Sequence, residues 1–467
     1  MDKSYDAVII GTGQSGPYLA HRLAAVGQKV AVIERDKFGG TCVNTGCIPT
    51  KTLVASAHAA HVARRASEFG VKIDCPVGID IKKVKARKDA IQKPAQEGVE
   101  KELRSQPNCD VYMGQAQFES AHVIAVGEHR LSSPQIFINV GGRAIIPQMP
   151  GLDQVRYLTN SSMMDVDFLP EHLIVVGGSY IGLEFGQMYR RFGSKVTILQ
   201  RNTHLIPRED EDISEAVKGI MEAEGISVRL NATCIGFEKR GDSVVVKAEC
   251  TSGSPSVTGT HVLLAVGRRP NTDDLGLDKA GVAQDNKGYI IVDDFLRTNV
   301  PGVWAMGDCN GKGGFTHTSY NDFEIVAANL LDNDPRRVSD RITAYALYID
   351  PPLGRAGMTE TEVRKLGGPA MIGKRLMVNV GRAVEKSETQ GFMKILVDAQ
   401  TRQILGASIL GVGGDEAIHS ILDVMYAKAP YTVISRAMHI HPTVSELIPT
   451  MLQDLKPLPA AAEREVA

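Results

Sequence analysis

Between Asp6 and Asp36 the polarity of the chain changes rhythm: an apolar run, "AVII", a glycine-rich turn, a stretch with apolar residues at helical spacing, then a second apolar run, "VAVIE". That order predicts a buried strand, a turn, an amphipathic helix and a parallel strand, which is a βαβ unit. The same succession recurs at 171–202, "EHLIVVGGSYIGLEFGQMYRRFGSKVTILQRN", so two doubly wound folds are expected. Helical periodicity runs from about 50 to 68, stopping at Gly70, and again from 80 to 105. "HVLLAVG" and "GVWAMGD" read as two further short buried strands, each ending in a glycine-containing loop. From about residue 341 the pattern turns to alternating strands, "FMKILVDAQTRQILGASILG", and then a helix, which predicts a separate α+β domain. The final "KPLPAAAEREVA" reads as a frayed tail.

Composition narrows the class. A chain of 467 residues exceeds one ordinary core, and two to four domains are expected. Apolar residues make up 43%, charged residues 23%, and the net charge is −2, which offers neither a basic field for nucleic acid nor a polybasic patch for a membrane. The N-terminus enters its first strand without a cleavage-type segment, and no apolar run reaches about 18 residues. The expectation is a soluble cytoplasmic protein whose partners are small molecules.

The turns carry the first chemistry. In "GTGQSG" Gly11 permits the tight turn, Gly13 lets backbone approach a pyrophosphate, and Gly16 lets the helix pack on the strand; Glu34, at the end of the second strand, can accept hydrogen bonds from a ribose. In the second copy Gly177 and Gly182 keep their places, Ser179 stands at the second glycine, and Gln200 with Arg201 replaces the acid. Losing a carboxylate and gaining a guanidinium admits a 2′-phosphate. NADPH is therefore expected over NADH.

Of the seven cysteines, Cys75, Cys109, Cys234, Cys250 and Cys309 are scattered singly and are expected to be inert. Cys42 and Cys47, in "GGTCVNTGCIPTK", are close neighbours among glycines at the mouth of a helix. Such a pair serves as a redox dithiol, a metal site or a structural staple.

Two nucleotide folds, this Cys-x4-Cys pair after the first, and "HPTVSE" near the C-terminus together resemble the FAD-dependent pyridine nucleotide–disulfide oxidoreductases over nearly the whole chain. The resemblance implies an α/β protein with two nucleotide-binding, Rossmann-like domains plus a C-terminal α+β dimerisation domain: an FAD-binding domain at 1–150 and 271–340, an NAD(P)H-binding domain at 151–270, and the dimerisation domain at 341–467. It further implies a homodimer with the active site shared across the interface, FAD and NADPH (or NADH) as cofactors, and no bound metal. Cys42 would be the interchange thiol that meets substrate. Cys47 would lie against the flavin and form a charge-transfer complex with it. Lys51 and Glu184 match the ion pair near the flavin, Tyr180 the aromatic gate that moves aside for the nicotinamide, and Thr41, Gly267 and Asp308 join the cofactor-binding set. His441 would be the general acid/base that serves the partner's cysteines, and Glu446 its orienter, while His439 is read as structural.

The residues agree with that chemistry. A short loop supplies proximity, and a helix N-terminus can stabilise a thiolate. A staple gains little in a reducing cytosol, and zinc needs two more ligands that the spacing does not offer. Within the family the nearest texture is the branch of mercuric reductase and the reactive-chlorine resistance flavoprotein, carried by "CIPTKTLV", "PREDEDI", "GGFTHTSYNDFEIV" and "PPLGRAGMTE". The acceptor is then a small oxidant or a soft metal ion: Cu(II), Hg(II) or hypothiocyanous acid. No cysteine follows Cys309, which counts against efficient Hg(II) reduction. The alternatives are a dihydrolipoamide dehydrogenase, which normally keeps the acid absent at Gln200, and a flavin redox sensor without turnover.

Overall fold

The computed structural model describes residues 1–249 and 254–459; Cys250 and residues 460–467 of the tail lie outside the described residues. Ala7–Ile10 and Val30–Glu34 are buried throughout and pair in parallel. The Gly16–Ala25 helix joins them and turns Leu19, Ala20, Leu23 and Ala24 inward. Their sheet is all-parallel, in the order Val303–Ala305, Gln135–Ile138, Ala7–Ile10, Val30–Glu34, Cys109–Met113. Gly11 sits at φ +100°, and a Cβ on Gly16 would come within 2.3 Å of the Gly11 carbonyl oxygen. Only glycine permits both the turn and the close packing of helix on strand.

The second unit repeats this plan. His172–Val176 and Lys195–Leu199 pair in parallel around the Tyr180–Phe192 helix, in a sheet ordered Tyr157–Leu158, His261–Leu264, His172–Val176, Lys195–Leu199, Ser227–Arg229. Helices cover one face. The other is covered by an antiparallel sheet of Thr233–Arg240, Ser243–Glu249 and Ser256–Gly259, which buries Phe237, Val244 and Val246 with Ile174 and Val176. An antiparallel sheet can be apolar on one side and solvated on the other, which suits it to this capping position.

The C-terminal part is a six-stranded antiparallel sheet, ordered Ala344–Leu347, Leu353–Gly357, Ile404–Leu410, Phe392–Asp398, Ala370–Leu376, Lys456–Pro457. The Gly414–Tyr426 helix packs on it through Ala417, Ile418 and Ile421. The last strand corrects the expectation of a frayed tail for its first residues, 456–459, the part that lies among the described residues. Lys456 pairs with Ile372, and the Leu458 amide donates to the Ala370 carbonyl at 2.8 Å. Edge pairing uses backbone groups alone, so a polar, proline-containing sequence does not announce it. No helix among the described residues is long and apolar enough to cross a membrane.

Candidate active site

One cavity of about 2090 Å³ is lined by both glycine turns, the cysteine segment and residues 313–320. Its volume exceeds the several hundred Å³ of an ordinary small-ligand pocket. On one side it receives Gly11, Gly13, Glu34 and Asp308; on the other, Gly177, Ser179, Gln200 and Arg201. Thr41, Cys42, Cys47, Lys51, Tyr180, Glu184 and Gly267 also face it. Gly16 and Gly182 stand off the wall, where they let helix approach strand.

Glu34 spends much of its capacity on its own chain. Oε2 accepts from the Thr12 amide at 3.0 Å and the Thr12 hydroxyl at 2.5 Å, and Oε1 from the amides of Arg35 and Asp36 at 2.8 and 3.0 Å. Two carboxylate oxygens have about four acceptor sites in their plane, so Glu34 shapes the turn as well as facing the cavity. Burial pushes the Asp308 carboxyl up, and Arg268, whose Nε lies 3.8 Å away, opposes it. Arg268 also donates to the Thr41 hydroxyl at 3.2 Å. The turn, the half-buried Asp308 at the wall and the size of the cavity fit a dinucleotide on this side.

In the second fold the Gln200 amide does double work: Oε1 accepts from the Gly178 amide at 3.2 Å, and Nε2 donates to the His204 carbonyl at 3.0 Å. It braces the loop that carries Arg201 and Arg208, both on the cavity wall.

Cys42 lies in the short helix Gly40–Asn44, and Cys47 is the first residue of the helix Cys47–Arg64. Both are free thiols. The Cys47 sulfur meets the Thr316 hydroxyl at 2.9 Å, and Thr316 in turn begins the helix Thr316–Ala327. Two helix N-termini thus converge on one sulfur, where their dipoles favour negative charge. A hydrogen bond from Cys42 pulls the Cys47 thiol down to about 6; Thr316 and the Lys51 charge assist, and burial opposes. The Cys42 thiol is pushed far up, first by that same hydrogen bond and then by burial. Both directions favour negative charge on Cys47 and the proton on Cys42.

Lys51, one turn along the same helix, pairs with Glu184 at 3.0 and 2.8 Å. Glu184 Oε1 also accepts from the Tyr348 amide at 3.0 Å, and the Lys51 ammonium lies 4.6 Å from the centroid of the Tyr348 ring. Tyr180 stands beside Phe315 and Tyr345. Thr316, Phe315, Tyr345, Tyr348 and Arg268 escape a reading of the sequence by local pattern. They come from segments far along the chain, and their residue types are common in ordinary packing.

His441 Nδ1 pairs with Glu446 at 3.0 and 2.9 Å, but its side chain is 80% exposed and lies off the cavity wall. Its neighbours Met438 and Ile440 are exposed as well. Within one chain the histidine pair and the cysteine pair are not brought together.

A family profile described as pyridine nucleotide-disulphide oxidoreductase matches residues 5–322, and the dimerisation-domain profile of the same family matches 343–452. The probable pyridine nucleotide-disulfide oxidoreductase RclA of Escherichia coli strain K12 is 36% identical over 95% of this chain and 97% of its own. A mercuric reductase of Streptomyces lividans is 30% identical over 95% of this chain and 94% of its own. A dihydrolipoyl dehydrogenase of Geobacillus stearothermophilus is 31% identical, with the same coverages. The solved structure of the HOCl-induced flavoprotein disulfide reductase RclA from Escherichia coli superposes with a TM-score of 0.88 at 34% identity, over 97% of this chain and 100% of that one. Its Cu(II) complex gives the same TM-score over 97% and 99%.

Proposed function

The chain belongs to the pyridine nucleotide-disulphide oxidoreductases, and on that premise we propose that it carries electrons from NADPH through FAD to the Cys42–Cys47 disulfide and on to a small oxidant or soft metal ion. As a member it is a flavoprotein enzyme that uses FAD and NAD(P)H. The single observation that carries the reading is the Cys47 sulfur, held 2.9 Å from the Thr316 hydroxyl where two helix N-termini converge on the wall of the shared cavity, a setting that draws its thiol pKa down. A depressed thiol pKa marks a sulfur built for exchange.

Bound FAD supplies the step the side chains lack, accepting hydride from the nicotinamide and delivering the electron pair to the disulfide. Gly11, Gly13, Glu34, Thr41, Gly267 and Asp308 would hold it, while Gly177, Ser179, Gln200 and Arg201 would hold the second dinucleotide. Lys51, fixed by Glu184, would place a positive charge beside the reacting ring. The divided FAD domain (1–150 and 271–340), the NAD(P)H domain (151–270) and the dimerisation domain (341–467) complete the reading.

On the acceptor side Cys42 holds a proton it must lose, because its thiol is pushed up. His441 of a second copy, oriented by Glu446, would take it. With hypothiocyanous acid, the Cys42 thiolate attacks the sulfur, and hydroxide leaves as water after taking the proton from His441. Cys47 then displaces thiocyanate as the disulfide closes. The acceptor gains two electrons and the dithiol loses them. Exposure of His441 beside the bare side chains of Met438 and Ile440 favours a homodimer in which this segment meets the partner.

NADPH and NADH consumption by the purified protein, with Hg(II), Cu(II), hypothiocyanous acid, oxidised glutathione and lipoamide as separate acceptors, tests the reading. Fast turnover with the inorganic acceptors alone supports it. Fast turnover with lipoamide and NADH makes the chain a dihydrolipoamide dehydrogenase and removes the argument from Gln200 and Arg201. Flavin reduction with no turnover on any acceptor makes it a sensor.

A further inference from the structure

The Tyr180 hydroxyl lies 3.4 Å from Glu209 Oε1. The Tyr345 hydroxyl donates to the same oxygen at 2.6 Å. Tyr180 meets Phe315 and Tyr345 edge-on, with centroids 5.9 and 5.7 Å apart, and Phe315 stacks on Tyr345 at 5.3 Å. The Glu209 side chain is fully buried. Its Oε2 has no hydrogen-bond partner among the described residues and faces Arg355 Nη1 at 3.6 Å. Arg355, 1% exposed, projects from the Leu353–Gly357 strand of the C-terminal sheet.

A buried carboxylate with an oxygen left without a hydrogen bond is costly to keep. Besides Glu209, Arg355 faces no carboxylate but that of Asp210 among the ion pairs of the described residues, whereas Lys394 has partners of its own. Lys394 is met by Asp210, Asp212 and Glu360 at 2.9, 2.8 and 3.2 Å, and Arg355 also faces Asp210 at 3.7 Å. Glu209 ties Tyr345 and Arg355, cross-strand neighbours in the C-terminal sheet, to Tyr180 of the second nucleotide fold. Burial, the leading influence on its carboxyl, pushes it up, while Arg355 and Tyr345 oppose.

We propose that Glu209, anchored by Arg355 and sharing one oxygen between Tyr345 and Tyr180, is a positioning residue that sets the orientation of the Tyr180 ring and thereby the fraction of the protein able to admit nicotinamide. The proposal rests on the reading of Tyr180 as the gate. A ring that must take two positions is biased by contacts made in only one of them, and apparent affinity scales with the competent fraction.

The test is anaerobic reduction of the purified holoenzyme by NADPH, followed at the flavin absorbance over a range of NADPH concentrations. Tyr345→Phe keeps the stack on Phe315 and removes the hydroxyl. It is expected to shift the apparent Kd for NADPH by about three- to tenfold, the scale of one hydrogen bond, and to have no effect in a Tyr180→Ala background. Glu209→Gln should follow the same pattern. A fall in Kd identifies the observed orientation as the shut one and a rise as the open one, and either supports the coupling. If Tyr180→Ala moves the Kd while Tyr345→Phe and Glu209→Gln do not, the positioning role is overturned and the gate stands. An equal shift in both backgrounds also overturns it, because the two residues then act without Tyr180. If Tyr180→Ala itself changes neither Kd nor rate, the gate reading falls and the proposal falls with it.

Discussion

Cys47 draws its charge stabilisation from sources of separate origin: the Cys42 thiol, the Thr316 hydroxyl and the Lys51 ammonium. If Cys47 is the charge-transfer thiolate, the long-wavelength absorbance of the reduced enzyme should therefore titrate with a midpoint of about 6, present above it and lost below. Thr316→Val and Cys42→Ala each remove a donor and are expected to raise that midpoint by about one unit, or ~1.4 kcal/mol. A midpoint unmoved by both would show that the hydrogen bonds do not set it. Cys47→Ser should remove the band altogether, and Cys42→Ser should stop acceptor turnover while NADPH still reduces the flavin. His441→Gln is expected to slow acceptor reduction by about 10²- to 10⁴-fold with a smaller effect on flavin reduction; comparable losses in both half-reactions would place the base elsewhere.

The loop after the Lys195–Leu199 strand and the helix that begins at Cys47 show what whole elements add. Gln200→Glu keeps an acceptor for the Gly178 amide, loses the donor to His204 and places a negative charge beside Arg201. The ratio of kcat/KM for NADPH to that for NADH should fall about tenfold, equal to ~1.4 kcal/mol; an unchanged ratio would separate Gln200 from cofactor choice. Further along, His58 Nδ1 on the Cys47–Arg64 helix pairs with Asp350 at 2.8 Å, and Asp350 is also held by Arg191, 2.5 Å away on the Tyr180–Phe192 helix. Three segments far apart in sequence are thus clamped at one carboxylate. The hydrogen bond to Asp350 raises His58 above its ordinary 6.5. Its contribution to stability is therefore full below about 6.5 and fades as pH rises through the raised value. His58→Gln should flatten that stretch of the urea-midpoint profile, and an identical profile would mean that the clamp does not titrate.

At the scale of the molecule, a cluster of buried charge lies between the second nucleotide fold and the C-terminal sheet. Lys394, 1% exposed, is surrounded by Asp210, Asp212 and Glu360. Burial alone would lower its pKa, but the carboxylates raise it. Lys394→Met leaves those acids without their common cation, and such a break costs about 3–5 kcal/mol. A lower urea midpoint is the expected outcome; an unchanged one would mean that the acids become protonated or rearrange. The cluster and the Glu209 network lie side by side, so the orientation of the C-terminal sheet and the aromatic wall of the cavity are mechanically joined.

Local pattern carried the βαβ units, because strand, turn and helix are each specified within some thirty residues by periodicity and by glycines that nothing else can replace. It also carried the cysteine pair, since both sulfurs sit in one short segment. The Lys456–Pro457 strand was not legible, because pairing at a sheet edge needs only backbone. Thr316, Tyr345, Glu209 and Arg355 were not legible either: each is an ordinary residue in its own segment and gains its part only from what lies across the fold. The sequence by itself determined the family, the two dinucleotide turns and the dithiol, all of which depend on short-range spacing. Tertiary structure decided what surrounds each thiol, what braces the loop after the Lys195–Leu199 strand and what touches the Tyr180 ring. Those are matters of distance between remote segments and of burial, which raises the energy of every charge without a partner.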